Sequence, residues 1–196
     1  LKVLRSDYQN QKYRLEDKLL KTFPEEIQKQ KTRIAALQQD SQIAAAHPQD
    51  KENFCGMTIK GMVYDDKKAA GERLLLARQE MPNADMMLLG TYRGFELNIR
   101  FDSFKNEHQA VLRAELSYPV SLGDDARGNI TRLDNAIDNF ADRIADAENA
   151  LQNLEQQKQA AEVEVAKPFA QEEELQTKSA RLAELDALLN MEHQSS

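Results

Sequence analysis

The stretch NITRLDNAIDNFADRIADAENALQNLEQQKQAAEVEVAKPF, Asn129 to Phe169, carries the strongest pattern in the chain. Ile130, Leu133, Ile137, Phe140, Ile144, Ala147, Leu151, Leu154, Ala161 and Val165 recur on alternating steps of three and four, and only Lys158 interrupts them. A seam this narrow and this long predicts a coiled-coil helix. Lys158 either fixes the register, by pairing with an acidic residue of the opposite helix, or marks a place where two helices splay.

Beyond Pro168 the apolar set becomes Leu175, Leu182, Leu185 and Leu189, where the earlier register would have placed Ser179 and Asp186 on the seam. The stripe therefore slips near Pro168, and a slip locally rewinds a coiled coil. A proline inside a helix loses a hydrogen bond and crowds the carbonyl four residues back, so Pro168 marks a joint. Glu172, Glu173 and Glu174 suit the start of the next helix, where the dipole favours negative charge.

The first 50 residues mirror this. Leu20, Phe23, Ile27, Ile34 and Leu37 fit a heptad register with Gln30 at one core position. Thr22 and Glu25 form a capping box around Pro24, which predicts a kink near 22–24. Laid antiparallel with Leu1 near Met191, the two segments bring Pro24 level with Pro168, so that both bend at one height. The alternative is that each proline simply starts its own helix. Pro48 ends the first helix, because the residue before a proline is pushed out of the α region.

Residues 51–122 differ in character. FCGMTIKGMVYDD (Phe54–Asp66) reads as strand with two glycines, and KKAAGERLLLARQEM (Lys67–Met81) as an amphipathic helix ended by Pro82. ADMMLLGTY, FELNIRFD and QAVLRAELSYPV read as three strands, the last two alternating like a sheet with one wet face. Arg93-Gly94 is a hairpin turn and SFKNEHQ (Ser103–Gln109) a connection. The predicted architecture is α+β: a long antiparallel coiled-coil helical hairpin with a small β-α-β-β-β domain inserted at its tip. The first arm is 1–50, the insert 51–122, and the second arm 123–196 with its kink near 168.

The 196 residues carry a formal charge of −7. Residues 51–122 hold ten basic and ten acidic side chains, so the excess sits on the arms. That excludes a chain whose whole surface grips phosphate. Cys55 is the one cysteine, so no internal disulfide forms and a reducing, cytoplasmic setting is expected. No apolar run is long enough for a membrane span, so no membrane contact is expected. The chain opens on Leu-Lys-Val and reads as an excised fragment.

LLGTYRGFEL (Leu88–Leu97), YPVSLGDDARGNITRLDNAID (Tyr118–Asp138) and KPFAQEEELQTKSARLAELDALL (Lys167–Leu189) together resemble the C-terminal region of very large proteins of conjugative elements and phages. That family comprises adenine-specific DNA methylases joined to, or accompanied by, Swi/Snf-type superfamily-two helicases. The resemblance implies a bacterial mobile-element parent that uses ATP and S-adenosylmethionine. This chain has no phosphate loop, and its prolines at 24, 48, 82, 119 and 168 are never adjacent. The ATP site and a methylase's Asn/Asp-Pro-Pro motif therefore belong elsewhere in such a parent.

No catalytic, cofactor-binding or metal-ligating set stands out. His47, His108 and His193 lack metal-ligand spacing, and Cys55 has no evident base to activate it. The candidate contact residues are Tyr92, Arg93 and Phe95 of the hairpin, whose aromatics and cation could stack on bases and hold phosphate. Lys60, Arg100, Lys105 and Arg113 could join them. The alternative is that Tyr92 and Phe95 pack in the sheet while Arg93 sits in a turn. The expected function is that of a non-catalytic accessory module: a coiled-coil spacer presenting a small sheet to DNA or protein, with the rest of the parent chain as first partner. The alternative is a purely structural oligomerisation element, a homodimer built by pairing seams.

Overall fold

The computed structural model describes residues 2–81, 85–169 and 172–194. The chain divides into two compact units, Gln30–Ala150 and a second made of Leu1–Lys29 with Leu151–Ser196.

The first unit is built on six antiparallel strands: β1 (Met57–Ile59), β2 (Met62–Tyr64), β3 (Met87–Tyr92), β4 (Phe95–Asp102), β5 (Glu107–Arg113) and β6 (Ser117–Ser121). Their order is β2-β1-β3-β4-β5-β6. Residues paired across strands share a face. Met57, Ile59, Tyr92, Phe95, Leu97, Ile99, Ala110, Leu112, Tyr118 and Val120 thereby form one apolar face, and all are buried. Helix α3 (Lys67–Glu80) supplies Ala70, Leu74 and Ala77 to this core, and α4 (Ala126–Ile137) supplies Ile130, Leu133 and Ile137. Leu37 of α2 (Phe23–Ala46) and Phe140 and Ala147 of α5 (Phe140–Ala166) complete it. Where α3 meets α4, Gly71 is required: a Cβ there would lie 2.1 Å from the Ala126 carbonyl oxygen.

This arrangement overturns the predicted hairpin with a β-α-β-β-β insert. The insert boundaries at 51 and 122 are not the boundaries of the unit, because residues 30–50 and 123–150 pack into the sheet's core rather than forming arms. The expected coiled-coil seam from Ile130 to Ala147 is real as a stripe, but its partner is the sheet. Periodicity records which side of a helix is apolar, not what covers it. The predicted single helix also breaks after Ile137, with Asp138 as C-cap.

Two turns account for the extra strands. Lys60 (φ 49°) and Gly61 (φ 79°) both adopt left-handed backbone and fold Phe54–Asp66 into the β1–β2 hairpin. The segment Gln109–Val120 is likewise two strands, β5 and β6, joined through 114–116. Its turn has no glycine or proline. Instead, the buried Asp40 of α2 accepts hydrogen bonds from Glu115 N (2.9 Å), Leu116 N (3.0 Å) and the Tyr118 hydroxyl (2.5 Å). Helix α3 begins where expected, its N-cap Asp66 accepting from Ala69 N. Pro82, expected to end it, lies outside the described residues.

The second unit contains α1 (Lys2–Asp17), a π-helical stretch Lys18–Thr22, the start of α2, the end of α5 and α6 (Glu172–Gln194). The predicted kink at 22–24 is absorbed without a break. Phe23 stays α-helical (φ −63°, ψ −46°), and its N–H donates to the Lys18 carbonyl. Pro24 cannot bond to the preceding turn and would crowd it, so that turn widens to π geometry. Thr22 is therefore not an N-cap. The widened turn also shifts the stripe: Leu19 is half-buried, whereas Leu20, expected on the seam, is 78% exposed.

The second joint lies between α5 and α6. The Tyr8 hydroxyl donates to the Lys167 carbonyl, the Tyr8 ring lies 5.0 Å from that of Phe169, and Arg5 pairs with Glu172 at 3.2 Å. Pro168 thus comes level with Tyr8, not with Pro24. Lys158 is half-buried and pairs at 3.7 Å with Glu162 of its own helix.

Candidate interaction surfaces

The β3–β4 hairpin is real, with Arg93 at φ 47° and Gly94 at φ 83°. Its side chains, however, point into the protein. Tyr92 and Phe95 are each 1% exposed and Arg93 is 6% exposed. Phe95 stacks on Phe140 and meets Tyr118 edge-on. The Arg93 guanidinium donates to Asp134 (3.2 Å), Asp138 (2.7 Å) and the His47 carbonyl (2.9 Å). The Tyr92 hydroxyl donates to the same Asp134 oxygen at 2.6 Å. Burial pushes the Tyr92 hydroxyl well above its ordinary range, and the Asp134 carboxylate adds to the effect. Burial works against the charge of Arg93, but Asp138 and Asp134 outweigh it and hold the guanidinium ionised. These three residues are a structural clamp between the hairpin, α4 and the end of α2. Buried and partnered in this way, they match the alternative in which Tyr92 and Phe95 pack in the sheet while Arg93 sits in a turn.

Two clefts of about 470 and 500 Å³ flank this clamp. The first is lined by Asp50, Cys55, Lys67, Tyr92, Arg127 and Asp134, among others. Two of its polar pairings are internal: Tyr92 donates to Asp134 and Lys67 to Thr131 Oγ1. A hydroxyl held protonated against a carboxylate that also carries Arg93 is a satisfied network, not an acid–base pair poised for substrate. Among the described residues no group of three or more His, Cys, Asp or Glu is placed to hold a metal ion.

The four other candidate cations do not form a basic patch. Lys60 pairs with Glu80 at 2.7 Å, and together with Arg73 it holds the Glu80 carboxyl below its usual range. Arg100 donates twice to Gln109 Oε1, at 3.0 and 2.9 Å. Strand pairing puts Arg100 and Arg113 on the sheet face opposite the helices, where they alternate with Glu96, Asp102 and Glu107. Glu107 is held ionised by the Ser121 hydroxyl and Gln109. The unit that carries the sheet holds 15 basic and 19 acidic residues, a net −4.

Lys105 sits elsewhere, in the β4–β5 turn, beside a residue that sequence reasoning passed over. Phe104 is fully exposed. Asp102 Oδ1 accepts from both Phe104 N (2.9 Å) and Lys105 N (3.2 Å), and Asn106 takes φ 51°. The turn is therefore pinned to the sheet, and it holds an aromatic ring out in water. The available signal was a phenylalanine set among Asp, Ser, Lys and Asn, with no apolar neighbour to pack on. Leu88, 61% exposed, lies on the same open face as Arg100.

A second apolar surface lies on α6. Leu175 is buried, but residues 176–194 are all exposed, including Leu182, Leu185, Leu188, Leu189 and Met191. Among the described residues no helix is long and apolar enough to cross a membrane. Comparison of the chain with protein families, curated proteins and solved structures finds no match.

Proposed function

We propose that the chain is a non-catalytic accessory module of a mobile-element DNA helicase or methylase, and that it works by docking protein through the exposed Phe104 hairpin of its sheet. The parent is taken from the sequence resemblance. The docking is argued from one observation: a hairpin fastened by Asp102 holds Phe104 fully exposed at the end of the β4–β5 ladder. A rigid, pre-ordered aromatic loses little entropy on contact and supplies the apolar anchor typical of an interface centre. Charge favours protein over DNA. The cations of the open face alternate with carboxylates, and the unit is net acidic, whereas a phosphate-binding surface needs clustered Lys and Arg.

The test replaces Phe104 with photoreactive benzoylphenylalanine in the full parent protein, alongside the same replacement at Glu72, exposed on helix α3 against the other face of the sheet, as a control. Irradiation is expected to give discrete protein adducts from position 104 alone. Labelled single- and double-stranded DNA should not bind the isolated chain at low salt. Salt-sensitive DNA binding that disappears in Phe104→Ser would overturn the reading and move the contact to nucleic acid.

A further inference from the structure

The cleft of about 500 Å³ beside the Arg93 clamp differs from its polar neighbour, because most of its lining is apolar. Ala44, Ala45 and Pro48 come from the end of α2, and Ile137, Phe140 and Ala141 from the joint between α4 and α5. Asp138 stands among them. Arg93 donates to its Oδ1, yet the carboxylate remains 46% exposed. At the other end of β4 is a projecting counterpart. Phe104 is the exposed phenylalanine among the described residues, and Asp102 Oδ1 pins its turn by accepting from the backbone N–H groups of Phe104 and Lys105. Arg93 lies just before the eight residues of β4 and Phe104 just after them, so the cleft and the ring are separated by the length of that strand, roughly 26 Å.

We infer that this cleft receives the Phe104 ring of a second copy of the chain. The inference rests on the reading of the Phe104 hairpin as a protein-docking element and names its partner. A copy cannot fill its own cleft, because the two features sit at opposite ends of one strand. Insertion takes a fully exposed ring out of water and sets it against Ile137 and Phe140, and apolar burial is the dominant favourable term in association. Phe140 offers a ring contact worth more than its area alone. The hairpin is already ordered by Asp102, so little conformational freedom is lost on docking. Charge is complementary. Lys105 follows Phe104 directly and supplies the cation that Asp138 can accept. The other charged groups at the cleft are Lys51 and the clamped Arg93, and the other charged groups of the turn are Asp102 and Glu107. Each surface therefore carries counter-charges for the other.

Sedimentation equilibrium of the whole 196-residue chain across a range of concentrations tests the inference. Mass should rise with concentration above 22.3 kDa. Phe104→Ser removes the inserted ring, and Ala45→Arg fills the cleft from an exposed position on α2. Each variant should stay monomeric with an unchanged circular dichroism spectrum. Mixing the two is the decisive arm. The intact hairpin of the Ala45→Arg chain should enter the intact cleft of the Phe104→Ser chain and give a 1:1 heterodimer and nothing larger. Lys105→Glu should weaken association about tenfold, because it sets like charges together at Asp138. A wild-type chain that stays monomeric at every concentration, variants that associate as the wild type does, or a mixture that fails to pair overturns the inference. Benzoylphenylalanine at position 104 separates it from the docking reading on which it rests. Adducts that map to residues 44–48 or 137–141 of another copy support both. Adducts on other proteins alone overturn this inference and leave the docking reading standing, whereas the absence of adducts overturns both.

Discussion

Replacing Arg93 with alanine is the perturbation that most directly probes how the sheet-bearing unit is held together. The guanidinium is 1% exposed at the side chain and holds Asp134, itself 5% exposed. Removing one member of a buried pair strands the other charge, which costs about 3–5 kcal/mol. The Asp138 contact adds little: that carboxylate is 46% exposed and screened by water, so it is worth under about 1 kcal/mol. The left-handed backbone at position 93 contributes nothing to the difference, because alanine carries the same Cβ as arginine. Against a typical domain stability of about 5–15 kcal/mol, the expected loss is a large fraction. It should be read by native-state hydrogen exchange of the β3, β4 and α4 amides, with urea unfolding followed by circular dichroism. Asp138→Ala is the internal control and should cost under about 1 kcal/mol. If Arg93→Ala costs no more than Asp138→Ala, the clamp is not what holds the hairpin to α4, and the argument fails. The same reasoning disqualifies Arg93→Ala as a binding mutant, since any activity it lost would be lost through unfolding.

Other outcomes follow from the same structure. Asp40→Ala should destabilise by about 3–5 kcal/mol, because it leaves two backbone N–H groups and the Tyr118 hydroxyl without their shared acceptor. Tyr118→Phe removes only one of the three bonds and should cost about 1–2 kcal/mol by urea titration. Gly71→Ala should destabilise even though alanine is the better helix former by about 1 kcal/mol, because its Cβ would meet the Ala126 carbonyl. A rise in melting temperature would contradict the close α3–α4 crossing. Alkaline pH should act through Tyr92 and Tyr118, both pushed upward by burial and then by their carboxylate partners. The folded state keeps protons that the unfolded chain releases near pH 10. Stability should therefore hold up to that pH and fall above it, by about 1.4 kcal/mol per pH unit for each tyrosine. Phenolate absorbance should show these two hydroxyls ionising only as the protein unfolds.

Much of the local structure was legible in the chain. The Arg93-Gly94 hairpin and the helix after Asp66 stand as read, because each is set by residues within a few positions of one another; the stripe from Ile130 is apolar where expected, but it is split between two helices and its first part packs on the sheet, not in a coiled coil. The candidate site was less legible. Tyr92-Arg93-Gly94-Phe95 has the composition of an exposed aromatic–cation hairpin. What buries it is Asp134, Asp138 and the His47 carbonyl, more than 40 residues away in both directions. Phe104, flanked by polar residues, was the exposed aromatic instead.

By itself, then, the sequence determined the periods: where helices run, which side of each is apolar, and where a turn with left-handed backbone must fall. Only the tertiary structure decided what those sides face. The stripe at Ile130–Ala147 meets a sheet rather than another helix, and the 114–116 turn forms because Asp40, 75 residues earlier, accepts its N–H groups. Pro24 is absorbed by a π turn that moves Leu20 into water and Leu19 inward. The reason is common to all three. Backbone propensity and side-chain period are properties of neighbours along the chain, whereas burial of an apolar face or a charged group depends on what long-range folding brings against it.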